Sequence, residues 1–225
     1  MCGRFSQGEP SRHVADYFGA YPDDDLPHGL YNVPPTETIR MVVERDGDLR
    51  LAAARWGFRP FWLSGDRGRS WINARSETAA TSPAFGPALR THRCVVPADA
   101  FYEWDRTTKP PQPYAIGPAS PGELLAFAGI WSAPRGEPPT AAILTTGPNA
   151  RMEPLHHRMP VILPRDLVGA WLDPSATLAD LEPMLTPAPD DSLRIWPVST
   201  EVNRVAADGP HLLSAVDVPA TLGLL

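Results

Sequence analysis

Proline spacing constrains this chain more than any other feature. Its 28 prolines are scattered along all 225 residues, with local pairs at Pro34–Pro35, Pro110–Pro111 and Pro138–Pro139. Each proline fixes φ and removes a backbone donor, so helices and strand ladders are repeatedly interrupted. The pattern predicts many loops and short elements rather than a disordered tail.

The hydrophobic pattern fills in those elements. Residues 10–18 (PSRHVADYF) read as a short helix started by Pro10, with Val14, Tyr17 and Phe18 on one face. TIRMVVER (38–45) and LRLAAARW (49–56) read as two strands joined at Asp46-Gly47, a strong hairpin signal. Residues 21–36 are turn-rich and acidic, and 56–62 form an aromatic loop. SWINARSET (70–78) predicts a strand running into a short helix, and RCVVPADAFYEW (93–104) two strands broken at Pro97. Further strands are expected at 113–117, 124–131, 140–146, 158–163 and 193–199, with a helix at 165–172. These predict an α+β fold over 1–225: a single domain with a mixed, barrel-like β-sheet flanked by short helices.

No run of 18 apolar residues occurs, and MCGRFSQGEP lacks a basic stretch followed by an apolar one. Neither a membrane span nor a secretory signal is therefore expected, and a cytoplasmic protein follows by default. The two cysteines, Cys2 and Cys94, exclude a disulfide framework and any all-cysteine metal site. His156 and His157 are adjacent, no HExxH pattern occurs, and no metal or cofactor is expected.

The net charge of −6 argues at first against nucleic acid, but its distribution matters more. Residues 1–50 carry −4, 51–110 carry +4, 111–179 carry −1 and 180–225 carry −5. A local basic surface fits modest nucleic-acid binding, not the coating of long duplex. Trp56, Trp62, Trp71, Tyr102 and Trp104 fall in or beside this basic segment. They could stack the bases of a single strand or simply pack a core.

Lys109 is the only lysine. Schiff-base chemistry generally uses a lysine amine, so here the α-amino group is the other candidate. An initiator Met is commonly removed before a residue as small as Cys. Loss of Met1 would leave Cys2 with an amine and a thiol on adjacent carbons. The amine titrates near ~8, so a sizeable neutral fraction exists at cytosolic pH. Such a 1,2-aminothiol condenses with an aldehyde to an imine and closes to a thiazolidine. Taken alone, however, Cys2 reads more readily as a chance residue at a loose terminus.

Three other segments carry candidate chemistry. Glu103, between aromatics in FYEW, could be a desolvated general acid–base or the outward residue of an alternating strand. Asn73 and Arg75 in WINARSET could orient a ligand and grip a phosphate, or be a helix cap and a surface arginine. His156 and His157, if locally extended, would point in different directions, and Arg158 could pair with a carboxylate.

The order of the blocks is more specific than any one of them. MCGRF, YNVPPTE (31–37), RWGFRPFW (55–62), INARSET (72–78), RCVVPADAFYEW (93–104), AGIW (128–131), LTT (144–146), HHRMPVIL (156–163) and PVSTEVNRV (197–205) together resemble the SOS-response-associated peptidase (SRAP) family, the abasic-site processing proteins. The resemblance covers residues 2 to about 205. It implies the SRAP fold with a groove for single-stranded DNA, and a covalent thiazolidine crosslink between Cys2, freed of Met1, and an abasic site. The matching catalytic residues are Cys2, Asn73, Glu103 and His156; the DNA-contacting ones are Arg4 and Arg75, with Trp104 and Thr145 as weaker matches. Family members often carry Asp where this chain has His157. Here Ala100 replaces the Gly of the common ADGFYEW. His156 is preferred over its neighbour as the first residue of the H-x-R-M-P block.

The expected partner is single-stranded DNA containing abasic sites, with nucleoid association when bound, a monomeric state, and no membrane. Replication-fork or single-strand-binding proteins remain unassigned as partners. An imine that β-eliminates would give weak lyase activity. Two other readings stay open. One is an N-terminal-nucleophile cysteine peptidase that removes its own Met1. The other is a non-catalytic reader of modified DNA in which Cys2 is dispensable.

Overall fold

A computed structural model describes residues 2–63 and 70–218. The Asp46-Gly47 hairpin forms as expected. Both residues have positive φ, 57° and 89°, the type I′ geometry whose twist suits paired strands. They join β4 (Thr38–Arg45) to β5 (Asp48–Trp56) in an antiparallel register running from Arg45 opposite Asp48 to Thr38 opposite Arg55.

The remaining strands are β1 (Phe5–Gln7), β2 (Tyr21–Pro22), β3 (Leu30–Val33), β6 (Asn73–Arg75), β7 (Arg93–Ala98), β8 (Ala100–Asp105), β9 (Gln112–Pro118), β10 (Leu125–Ser132), β11 (Thr140–Thr146), β12 (Met159–Pro160) and β13 (Leu193–Pro197). The helices are α1 (Ser11–Phe18), α2 (Ser76–Ala79), α3 (Gly86–Thr91), α4 (Val168–Leu172) and α5 (Leu178–Leu181). One sheet runs β13-β9-β8-β1-β3 and the other β12-β11-β10-β7-β4-β5-β2. A parallel contact of β11 with β5 closes β5-β4-β7-β10-β11 into a ring. This is the mixed, barrel-like sheet with short helices that the sequence predicts.

Three local expectations change. The break between β7 and β8 falls at Asp99, because Pro97 is accommodated within β7, opposite Ala126. The acidic, turn-rich stretch 21–36 contains β2 and β3, which gain their ladders only by pairing with distant β5 and β1. The N-terminus is not loose: Cys2 and Phe5 are fully buried. Phe5 packs edge-on against Trp56 and Phe127, at centroid distances of 4.8 and 6.0 Å. Burying a side chain of this size contributes about 1.5–3 kcal/mol.

Buried polar groups fix the register of β1. Gln7 donates to the carbonyls of Arg40 (2.9 Å) and Pro97 (2.7 Å) and accepts from the Arg40 amide (3.0 Å). Asp99, the break residue, accepts from the Ser6 hydroxyl and from the Gly8 and Glu9 amides. A slipped β1 would leave these groups unpaired in the interior, which is costly. That clamp decides where residue 2 sits. Among the described residues, no helix is long and apolar enough to cross a membrane.

Candidate active site

Cys2 lies three residues before β1, between β6 of one sheet and β8 of the other. Its carbonyl accepts a 2.8 Å hydrogen bond from the Asn73 side-chain amide. Asn73 opens β6, which runs parallel to β11 with Asn73 opposite Ile143. The other end of its amide, Oδ1, is buried and accepts no hydrogen bond among the described residues. An acceptor held in that way beside Cys2 is suited to a hydroxyl or amine proton of a reacting group.

Glu103 reaches the same place from β8. The register of β1 against β8, Phe5 with Phe101 and Ser6 with Ala100, puts Glu103 across from Gly3 when continued. Glu103 is 5% exposed, and burial pushes its carboxyl up from 4.5 to about 7. It is therefore poised between acid and base at neutral pH. Burial also raises the Cys2 thiol strongly, and the negative charge of Glu103 adds to this. The ground-state thiol is S–H, so any thiol addition needs a base nearby, and Glu103 is the carboxylate whose field acts on it.

His156 follows a turn spanning 151–155 and precedes β12. Because that backbone is curled rather than extended, the two histidine rings do not diverge. They stack at 4.4 Å with an interplanar angle of 23°. His157 is exposed and His156 half-buried. His156 Nδ1 lies against the backbone of Arg158, 3.0 Å from its amide and 3.2 Å from its carbonyl, which fixes the orientation of the ring. Burial lowers the His156 pKa to about 4, so the ring is neutral at neutral pH. The positive charge of Arg106, in the turn after β8, acts on both Glu103 and His156. A discriminating outcome follows for adduct formation with an aldehyde: His156→Ala should slow it about 100-fold, while His157→Ala changes it by less than about threefold. Single-turnover rates of the two variants check this.

The arginines divide. Arg75 is exposed at the end of β6, two residues from Asn73. Arg4 is half-buried, and its Nη1 donates to Asn32 Oδ1 (2.8 Å) and the Val202 carbonyl (3.1 Å). Trp104 lies on the opposite face of β8 from Glu103 and donates from Nε1 to Asn203 Oδ1 at 2.6 Å. Thr145 is fully buried; its carbonyl and hydroxyl oxygens accept from Arg158, whose guanidinium also forms a bidentate pair with Glu77. Arg158 is thus paired with a carboxylate, and it ties β11, α2 and the His156 segment together.

The basic character of residues 51–110 contributes less surface than the charge count suggests. Arg93 is buried, donating to the carbonyls of Trp171, Leu89, Arg90 and Asp173. Arg59 pairs with Glu137 at 2.6 Å and is 6% exposed. Asp66, Arg67 and Arg69 lie outside the described residues. Arg55, Arg75, Arg90, Arg106 and Lys109 are exposed. Of the tryptophans in this segment, Trp56 is fully buried, and Trp62 stays 55% exposed beside Phe61 at 64%. Arg106 and Asn32 went unassigned in the sequence. Asn32 sat in the YNVPPTE block, but its role depends on contacts about 170 residues away.

A buried cysteine at residue 2, an amide on its carbonyl, a carboxyl near neutrality and a neutral histidine form an arrangement suited to acid–base chemistry. The chain belongs to the family described as SOS response associated peptidase (SRAP), whose profile matches residues 1–205. It is 37% identical to the abasic site processing protein YoqW of Bacillus subtilis over 96% of this chain and 100% of that one. Against YedK of Escherichia coli the identity is 30%, over 96% and 100%. Against HMCES of Gallus gallus it is 35%, over 84% of this chain and 64% of that one. In fold it is similar to a crystal structure from Bacteroides thetaiotaomicron, with a TM-score of 0.85, 22% identity, and coverage of 96% of this chain and all of the other.

Proposed function

We propose that this protein processes abasic sites in DNA and does so by covalent capture of the sugar aldehyde at Cys2. The observation that carries this reading is the 2.8 Å bond from Asn73 to the Cys2 carbonyl, which holds residue 2 beside a carboxyl that titrates near 7. The names of its relatives, abasic site processing proteins, support the substrate.

An abasic deoxyribose must open to its C1′ aldehyde before it can react. Glu103, protonated, gives a proton to the ring oxygen or to the carbinolamine hydroxyl, and the neutral His156 ring hydrogen-bonds a sugar oxygen. Once Met1 is gone, the neutral α-amine of Cys2 attacks C1′ and water leaves as the imine forms. Glu103, now a carboxylate, takes the thiol proton as sulfur adds to the carbon of the imine, which loss of water left protonated, and the imine nitrogen becomes the ring N–H. The ring so formed is a thiazolidine, and the product is a protein–DNA crosslink that shields the lesion. Asn73 supplies attack geometry through the Cys2 carbonyl. Arg75 and Arg4 offer charge to flanking phosphates of a single strand, with Trp104 and the Thr145 segment beside them. Failure to close the ring leaves an imine that can β-eliminate, giving weak strand cleavage. The setting is DNA repair in the cytoplasm, at the nucleoid.

Intact-mass measurement after reaction with a uracil-glycosylase-treated single-stranded oligonucleotide tests the reading. The expected adduct is the chain without Met1 plus the oligonucleotide, less one water. Recovery of unmodified protein alone sinks it. Adduct formation by a chain that retains Met1 would also refute the use of the Cys2 amine.

A further inference from the structure

The YNVPPTE block contributes a residue with no part in the chemistry at Cys2. Asn32, on β3, is 3% exposed, and its amide is fully engaged. Oδ1 accepts from Arg4 Nη1 at 2.8 Å. Nδ2 donates toward three carbonyls of the C-terminal segment, Ala207 (2.9 Å), Arg204 (3.0 Å) and Val202 (3.3 Å). The preceding carbonyl, of Tyr31, accepts from the Tyr102 hydroxyl at 2.7 Å, which fixes this stretch of β3 against β8.

Arg4 therefore meets two acceptors that are themselves held in place. Its Nη1 takes both Asn32 Oδ1 and the Val202 carbonyl, while its Nη2 makes no protein hydrogen bond among the described residues. The Arg4 carbonyl in turn accepts from the Tyr102 amide at 2.9 Å and lies 4.0 Å from Cys2 Sγ. A guanidinium gripped at one nitrogen loses little further side-chain freedom when the other binds an anion.

We propose that Asn32 is a positioning residue for DNA binding: it joins β3 to the 202–207 segment and holds Arg4 so that its Nη2 can take a phosphate next to the lesion. This rests on the proposed function, since it assumes that Arg4 meets DNA. It adds that the C-terminal segment, through its carbonyls and Asn32, is part of the DNA-binding apparatus although none of those carbonyls attracts phosphate.

The test is a cycle of Asn32→Ala, Arg4→Ala and the double variant. Binding is read by fluorescence anisotropy at several salt concentrations on a single-stranded oligonucleotide carrying a tetrahydrofuran abasic analogue, which has no aldehyde and cannot crosslink. Asn32→Ala should weaken binding about tenfold and flatten the salt slope by about one. In the Arg4→Ala background the same change should alter affinity less than twofold. Equal losses in both backgrounds would make Asn32 merely structural, and an unchanged affinity and slope in the single variant would equally overturn the proposal. Should Asn32→Ala melt below the assay temperature, Asn32→Ser, too short to bridge Arg4 and the carbonyls, carries the same cycle. Wild-type protein that crosslinks true abasic DNA while the cycle shows no coupling refutes Asn32 alone. Wild-type protein that neither binds the analogue nor crosslinks refutes the underlying function.

Discussion

Replacing Cys2 by Ala is expected to abolish the heat-stable adduct with abasic single-stranded DNA, a loss of at least about 1,000-fold in yield at fixed time. The substitution removes only the thiol. With Met1 removed, the α-amine at residue 2 remains and still forms an imine. Borohydride should therefore trap a reduced adduct with Cys2→Ala, and strand cleavage should rise because an open imine can β-eliminate. Cys2→Ser should behave similarly, since a hydroxyl is a weaker nucleophile than a thiol. Denaturing gels with and without borohydride separate the two functional groups of one residue. A heat-stable adduct from Cys2→Ala without borohydride would refute the thiazolidine.

Glu103→Gln should slow adduct formation by about 100–10,000-fold, the range for loss of a positioned acid–base group. Its effect on stability has the opposite sign. The folded-state carboxyl titrates at about 7, against an ordinary value of 4.5. Below pH 4.5 both folded and unfolded chains hold the proton. Between 4.5 and 7 only the folded chain does, so stability falls as pH rises, and the loss is complete above 7. Glu103→Gln removes that dependence. At pH 8 the variant should be more stable than wild type by on the order of 3 kcal/mol, with the difference fading toward pH 4.5. Urea denaturation at the two pH values checks this. A Gln variant less stable than wild type at pH 8 would show that the carboxylate is held by favourable contacts rather than strained by burial. The trade is physically coherent: a carboxyl kept near neutrality for proton transfer is one that the fold holds against its preference for water.

The two expectations are linked. The Cys2 thiol is buried and raised well above its usual range, so it cannot be a free thiolate. The carboxylate that raises it is also the base that can relieve it. A thiol activated in this way reacts only after an imine is present to accept the sulfur, which favours amine attack first.

Much of the site was legible from residue type. A lone lysine points the proposed imine chemistry to the N-terminus. FYEW announced a carboxyl among aromatics, and its burial follows from the pairing of β8 with both β1 and β9. Asn73 and Arg75 were visible in WINARSET. Less legible were the residues whose role comes from remote partners. Arg93 and Arg59 read as surface charge but hold carbonyls and a carboxylate inside the fold. The His156–His157 pair read as divergent because extended backbone was assumed, whereas a turn brings the rings together.

The sequence by itself determined the short-element α+β character, through its prolines and alternating strands, and the chemical identity of the groups proposed to react, Cys2, Glu103 and His156. Those properties belong to local backbone preference and to side-chain type, which a linear chain carries intact. Tertiary structure decided what state those groups are in. It buried the terminus by clamping β1 with Gln7 and Asp99, and set Asn73 on the Cys2 carbonyl across 71 residues of chain. It also brought Glu103 to neutrality and tied Arg4 to the C-terminal segment through Asn32. Desolvation and hydrogen bonding depend on what surrounds a group in space, and that is supplied only when distant strands meet.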